Sequence, residues 1–274
     1  MLDKLKDISN LMKKTTLMKK ITIILVVCLA LVVACGATVG VLAMSNRLWF
    51  QKDEPTDAYV FPVTPKGSPE AWSEFQTHDE MTAACQIPED LLASMSTYGL
   101  VETCISYPLF ADMFLYNTSL EGFDSVCRNF NGLKELLERP DAGVKLAALY
   151  KDSEFSKISS TDTSHALRYD YFCYMLSNDK VLQNMSVEVR QQLLNECVNS
   201  ITEIVENYSK VYSILPSFLI AARISAVDNP AFVQLMEQNA IVKHFVERGE
   251  LQQFSQELVD EILALWTQGG VSND

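Results

Sequence analysis

The stretch VEVRQQLLNECVNSITEIVENYS, residues 187–209, decides the fold class of this chain. Its apolar residues recur every three or four positions, at Leu193/Leu194, Cys197/Val198, Ile201, Ile204/Val205 and Tyr208. A spacing close to the helical repeat places these side chains on one face of a helix. The stretch therefore predicts a long amphipathic α-helix from about Val187 to Ser209.

The same spacing recurs on both sides of this stretch, in residues 120–130 and 251–266. Alternating runs, which half-buried β-strands would show, are nearly absent. Only five glycines lie between residues 70 and 268, too few for a turn-rich β domain. We predict an all-α domain of about nine or ten helices with short connections, packed as an α-bundle or as a HEAT-like solenoid.

Several polar residues mark where these helices begin. Thr118 and Ser186 are expected to cap helix N-termini, Thr118 as the start of a Thr-Ser-Leu-Glu capping box. Asn229 directly precedes Pro230 and is expected to cap a third helix. The prolines from residue 69 onward all fit first-turn positions, and the residues 151–162 form the longest expected loop.

The run ITIILVVCLALVVACGATVGVLAM, residues 21–44, has no charged side chain. A helix needs about 20 apolar residues to cross a membrane, so this run predicts a transmembrane span. Residues 1–20 carry a net charge of +4 and are expected to stay in the cytoplasm. The predicted organisation is a cytoplasmic tail (1–20), a signal anchor (21–44), a tether (45–68) and an extracytoplasmic helical domain (69–274).

Two processing events compete with a retained anchor. Val32-Val33-Ala34-Cys35-Gly36 is similar to a lipobox, in which cleavage would leave Cys35 with a lipid. Cleavage after Val41-Leu42-Ala43 would instead release the protein. All three alternatives place residues 45–274 outside the cytoplasm. Within the tether, prolines break any helix, and Tyr59-Val60-Phe61 could form a short extended piece against the domain.

Net charge limits the classes of partner. The whole chain carries −13 and the first twenty residues carry +4, so residues 45–274 carry −17. Nucleic acids and anionic lipid surfaces attract basic patches, and we therefore expect no nucleic-acid partner.

Five cysteines lie outside the apolar run, namely Cys85, Cys104, Cys127, Cys173 and Cys197. They share no short spacing, and buried thiols are favoured over one or two disulfides.

The sequence offers no established catalytic, cofactor or metal motif. HExxH, GxSxG, Walker and GxGxxG patterns are absent, and His78, His165 and His244 have no second ligand at metal spacing. We therefore predict no catalytic, cofactor-binding or metal-binding residues. The densest aromatic stretch contains Tyr169, Tyr171 and Tyr174, which would spread around a helix so that one or two reach the surface. These tyrosines are a candidate binding surface, and the alternative that this stretch is a core helix is favoured.

The stretch from Met95 to Arg139 carries the patterns MSTYGLVETC, YPL, EGF, FNG and ELLER. It resembles a group of exported proteins of anaerobic gut bacteria that share an MST-LVETC, YPL, EGF, FNG and ELL-R run. The resemblance covers roughly residues 70–150. It implies a bacterial origin and a surface location, and no activity. In physical terms the stretch predicts a helix capped at Ser96, a second capped helix, and a turn at Asn131-Gly132.

These features favour a binding protein over an enzyme. We expect a single-pass membrane protein of the bacterial cell envelope whose helical domain binds another envelope protein or a wall component. One alternative is an envelope hydrolase whose active site comes from residues far apart in sequence. Another is a lipoprotein that captures a small ligand between helices.

Overall fold

The regular structure of this chain is helical. The computed structural model describes residues 57–63, 72–151, 163–209, 212–250 and 254–268, and no β-strand occurs in these ranges. The α-helices are α1 (His78–Ala84), α2 (Glu89–Ser94), α3 (Thr97–Ile105), α4 (Ser119–Asn129), α5 (Asn131–Glu138), α6 (Ala142–Lys151), α7 (Thr163–Leu176), α8 (Asp179–Gln183), α9 (Val187–Glu203), α10 (Leu215–Asp228), α11 (Pro230–Gln238), α12 (Ala240–Arg248) and α13 (Gln256–Gln268). A 3-10 helix (Phe110–Leu115) precedes α4, and a π-helix (Ile204–Tyr208) extends α9. The predicted all-α, multi-helical domain is confirmed.

The predicted membrane span, Cys35 and the expected loop at 152–162 lie outside the described residues. Among the residues that are described, no helix combines the length and the apolar character needed to cross a membrane.

The chain divides into two compact units. The first contains the described residues up to Glu250, with α1 to α12, and the second contains α13. In α13, the side chains of Leu258, Ile262 and Trp266 are buried and recur at four-residue intervals along one face.

The predicted caps hold the starts of three helices in the first unit. The Thr118 hydroxyl accepts from the N–H of Glu121, and the Ser186 hydroxyl accepts from the N–H of Val189. Asn229 Oδ1 accepts from the first two free N–H groups of α11. These bonds satisfy donors that have no partner within a helix. The predicted helix from Val187 is also confirmed, because α9 and its π-helical extension run to Tyr208.

Two local expectations were wrong. Asn131 and Gly132 begin α5 instead of forming a turn, because the Asn131 side chain bonds both the N–H (3.0 Å) and the carbonyl (2.7 Å) of Ile87. Not all prolines lie in a first turn either. Pro216 and Pro230 do, but Pro88 caps α2 and Pro108 and Pro140 lie in turns before a helix.

Helices α7 and α10 form the centre of this unit. Residues 216–222 of α10 are all buried, and so are residues 171–177 at the end of α7 and just beyond it. These two buried stretches have no polar face, so they differ from the amphipathic pattern of α9. They pack against each other, and α7 also contacts α3, α4, α6 and α8.

Three arginines bind helix ends inside the unit. Each donates to two backbone carbonyls at helix C-termini: Arg139 to Leu92 and Met95, Arg190 to Leu182 and Met185, and Arg223 to Ser177 and Val246. The last carbonyls of a helix receive no hydrogen bond from an N–H of the same helix. The arginine bonds therefore satisfy carbonyl groups that burial would otherwise leave unpaired. These three guanidinium groups therefore stabilise the ends of helices inside the unit.

Candidate functional site

A surface pocket of about 350 Å³ lies between α1, the 3-10 helix and α4. Its floor includes the buried residues Tyr107, Ser125 and Val126. Leu115 and Tyr116 form its rim and are large apolar side chains with 79% and 47% exposure. A concave surface with an apolar floor and a few polar groups is the usual form of a binding site.

Gly122 sets the distance between two walls of this pocket. A Cβ at this position would overlap the backbone carbonyl of Met113 in the 3-10 helix. Only glycine therefore allows α4 to approach the 3-10 helix this closely. The pocket depends on that approach because Asp112 and Leu115 lie in the 3-10 helix, whereas Ser125 and Val126 lie in α4.

The floor is supported by stacked aromatic rings. Tyr107 stacks on Phe130 with centroids 4.0 Å apart and an interplanar angle of 12°. Phe61 packs its ring 6.0 Å from each of them. Aromatic pairs at these distances add stabilisation beyond the buried area. Tyr107 is thereby held in place under the pocket.

Phe61 belongs to a segment, Asp57–Phe61, that precedes α1 and docks on α3. The Asp57 carboxylate accepts from the Ser96 hydroxyl (2.6 Å) and backbone N–H (2.5 Å), which lowers the pKa of Asp57. The N–H of Tyr59 donates to Thr103 Oγ1 at 2.8 Å. The segment Tyr59–Phe61 thus lies against the helical unit.

His78 and Asp112 form the polar wall of the pocket. His78 Nε2 lies 2.7 Å from Asp112 Oδ2, and His78 Nδ1 lies 3.4 Å from Thr82 Oγ1. Both ring nitrogens therefore have neighbours, and the Thr82 contact is at the long end of the hydrogen-bond range. These two contacts position the His78 ring as a polar wall of the pocket.

Tyr116 is fixed although its ring is half exposed. Its hydroxyl lies 2.6 Å from Ser125 Oγ on the buried floor. This hydrogen bond holds the ring at the rim. A rim that is already ordered loses little conformational entropy when a ligand binds.

Asp112 dominates the charge at this site. Burial, and then the negative charge of Asp112, raise the pKa of the Cys85 thiol to about 11. Burial is also the main cause of the raised pKa of Tyr107, followed by the charges of Cys85 and Asp112. The residues that line the pocket include no lysine or arginine.

The cysteines of the described chain are poor nucleophiles. All five are free thiols, four of them buried and Cys127 partly buried. Burial raises the pKa of Cys127 to about 12 and raises those of Cys104, Cys173 and Cys197 well above the ordinary value. Since the thiolate is the reactive form, these thiols act as small apolar core residues.

The tyrosines at 169, 171 and 174 do not form a surface. Their exposed fractions are 1%, 0% and 2%, so the expectation that one or two reach solvent was wrong. The physical reason is that α7 is a central helix with neighbours on every side. Tyr169 hydrogen-bonds Ser217 at 2.8 Å, and Tyr171 and Tyr174 pack near Phe123. The alternative interpretation, a core helix, is the one that their burial supports.

The other sequence candidates do not converge on the pocket. His244 on α12 pairs at 3.1 Å with Glu250, two residues beyond the end of that helix, and the side chain of His165 lies outside the described ones. In the described ranges no three residues of the types His, Cys, Asp and Glu come together as a metal site.

The comparisons with known proteins add no relative. The chain matches no protein-family model, no curated protein and no solved structure.

The pocket was not predicted from the sequence, because His78 and Asp112 are 34 residues apart and Tyr116 and Ser125 are nine apart with no motif. Two sequence patterns marked parts of this site: YPL contains the lining residues Tyr107 and Leu109, and EGF contains Gly122.

Proposed function

We propose that this chain is a membrane-anchored module of a bacterial cell envelope whose helical unit binds another envelope protein through the pocket between α1, the 3-10 helix and α4. The observation that carries the proposal is the exposure of Leu115 and Tyr116 at the pocket rim. Adjacent exposed apolar side chains beside a concave surface are typical of protein-binding sites. The lysine-flanked apolar run at 21–44 supports the anchor, with the N-terminus in the cytoplasm.

The packing supports a bundle for this unit. In a HEAT-like row each repeat contacts its neighbours, whereas α7 contacts helices from both halves of the unit. A bundle presents its binding surface at pockets between helices, and the pocket beside α4 fits that pattern.

A site-specific crosslink tests the binding function. A photoreactive phenylalanine analogue replaces Leu115 in the full-length chain, expressed in membranes of the native host. The same analogue at Val227, which is 64% exposed on α10, is the matched control. We expect one defined protein adduct from position 115 that position 227 does not give. Identical adduct patterns at the two positions, or no adduct at 115, would refute the binding site.

The pocket volume favours one second candidate, the binding of a small molecule. A volume of about 350 Å³ lies at the lower end of the range of ligand pockets. If a small molecule is the natural ligand, native mass spectrometry of the purified full-length chain should show a bound mass. That mass should be lost when Val126→Trp fills the pocket floor.

A further inference from the structure

The rim and the polar wall of the pocket together indicate which kind of segment it binds. We propose that the occupant is a cationic amphipathic segment of the partner protein. One apolar side chain of that segment enters the pocket, and an adjacent lysine or arginine pairs with Asp112. This inference rests on the proposed binding function and specifies the chemistry of the partner.

Asp112 has the capacity to bind a second donor. Its Oδ2 faces His78, and its Oδ1 has no hydrogen-bond partner among the described residues. The Asp112 side chain is 27% exposed, so a ligand can reach it. The free carboxylate oxygen suits an ammonium or guanidinium donor.

Asp112 is the one carboxylate among the residues that line the pocket, and no lysine or arginine lines it. On α1, Asp79 and Glu80 follow the lining residue His78 in the first turn. Arg128, which precedes the lining residue Asn129, interacts with Asp124 on the same helix. The whole chain carries −13. Charge complementarity therefore favours a cationic occupant and disfavours an acidic one.

The apolar rim indicates a segment larger than the pocket. The Leu115 side chain is 79% exposed and Tyr116 is held beside it by Ser125. A small amine within the pocket would leave most of the Leu115 side chain in water. A peptide with one side chain in the pocket and its backbone over the rim would cover both. An amphipathic helix that lays its apolar face on a groove is a common form of such recognition.

Fluorescence anisotropy with defined peptides tests this inference. The full-length chain is placed in phosphatidylcholine nanodiscs, and empty nanodiscs correct for lipid binding. The probe is a fluorescein-labelled 12-residue peptide with leucine at helical spacing and lysine at the other positions. A matched peptide carries glutamine in place of every lysine. Phenethylamine is added separately as a small apolar amine.

We expect the lysine peptide to bind the unmodified chain more tightly than the glutamine peptide. Asp112→Asn should weaken the lysine peptide about fivefold, the upper range for a solvent-accessible ion pair. Leu115→Ala should weaken both peptides, because it removes apolar contact area. Asp90→Asn on α2 and Val227→Ala on α10 are matched controls and should leave binding unchanged.

Three results would overturn the proposal. If Asp90→Asn weakens binding as much as Asp112→Asn, the peptide binds the acidic surface in general. If the glutamine peptide binds equally well and Leu115→Ala still weakens it, the cationic class is wrong although the binding site remains. If phenethylamine binds in an Asp112-dependent way and the lysine peptide does not bind, the pocket recognises a small amine. The crosslink at position 115 tests the binding function itself, independently of the peptide measurements.

Discussion

The bond between Arg190 and Asp228 ties α9 to the end of α10 and provides the sharpest test of how this fold is held together. Arg190 Nε and Nη2 donate to the two oxygens of Asp228 at 2.6 and 2.7 Å. Arg190 Nη1 donates to the carbonyl of Met185 at 2.7 Å. The two side chains are only 11% and 14% exposed. The hydrogen bond to the Asp228 carboxylate raises the pKa of Arg190 further, so Arg190 is charged at neutral pH.

Arg190→Ala removes the ion pair with Asp228 and the hydrogen bond to the Met185 carbonyl at once. It leaves the Asp228 carboxylate beside the C-terminus of α10, where the helix dipole disfavours a negative charge. It also leaves helix-end carbonyls without a donor. Loss of one partner of a buried pair costs about 3–5 kcal/mol, and the residual exposure here places the expected loss near 3 kcal/mol. For a domain of this size, that corresponds to a fall in Tm of about 6–12 °C.

Thermal unfolding measured by circular dichroism at 222 nm checks this value on the full-length chain in nanodiscs. Lys180→Ala is the matched control, because the pair of Lys180 with Glu138 is 60% and 65% exposed. An exposed pair contributes less than about 1 kcal/mol, so this control should shift Tm by less than about 4 °C. A shift for Arg190→Ala no larger than that of the control would refute the reasoning. Arg190→Met with Asp228→Leu should recover much of the loss, because apolar residues of similar size remove the unpaired charge.

Three further predictions concern other parts of the unit. Asp170 Oδ1 is buried without a partner, and burial raises the pKa of Asp170 to about 8 from an ordinary 3.8. The folded state therefore holds the proton more tightly, so the stability that Asp170 contributes is complete below pH 3.8 and is lost as pH rises to 8. Asp170→Asn should raise Tm at pH 8.5 and leave it unchanged at pH 3.5 in scanning calorimetry; an equal shift at both pH values would contradict this. Gly122→Ala should lower the free energy of unfolding by about 1–3 kcal/mol, because the new methyl group displaces Met113; urea unfolding measures it, and a neutral result would remove the argument for close approach. The thiols at Cys85 and Cys127 should resist Ellman's reagent at pH 7.5 in the folded chain and react after denaturation; fast labelling of the folded chain would show that burial does not control their reactivity.

Much of the helical architecture could be predicted from the sequence because helices depend on nearby residues. The period of apolar residues from Val187 to Tyr208 predicted α9, and Thr118 predicted the start of α4 by its hydroxyl. These features act over three or four residues and need no knowledge of the rest of the fold. The turn expected at Asn131 failed for the opposite reason, since a residue 44 positions away binds its side chain.

The environment of the tyrosines in α7 shows where local reasoning stops. Tyrosines at 169, 171 and 174 occupy different faces of a helix, and on an amphipathic helix some of them would be exposed. In this fold α7 packs against α3, α4, α6, α8 and α10, and all three tyrosines are buried. The number of neighbours around a helix is a property of the packed unit. No pattern within α7 itself could have predicted it.

The sequence alone predicted the helical class and the starts of several helices, and from it we propose that the apolar run at 21–44 anchors an acidic domain. Those properties arise from local hydrogen bonding, helical period and composition. Only the tertiary structure placed His78 beside Asp112, joined Tyr116 to Ser125, and brought Gly122 against Met113 to leave the pocket between them. These contacts depend on how α1, the 3-10 helix and α4 pack, and packing is fixed by shape complementarity over the whole core.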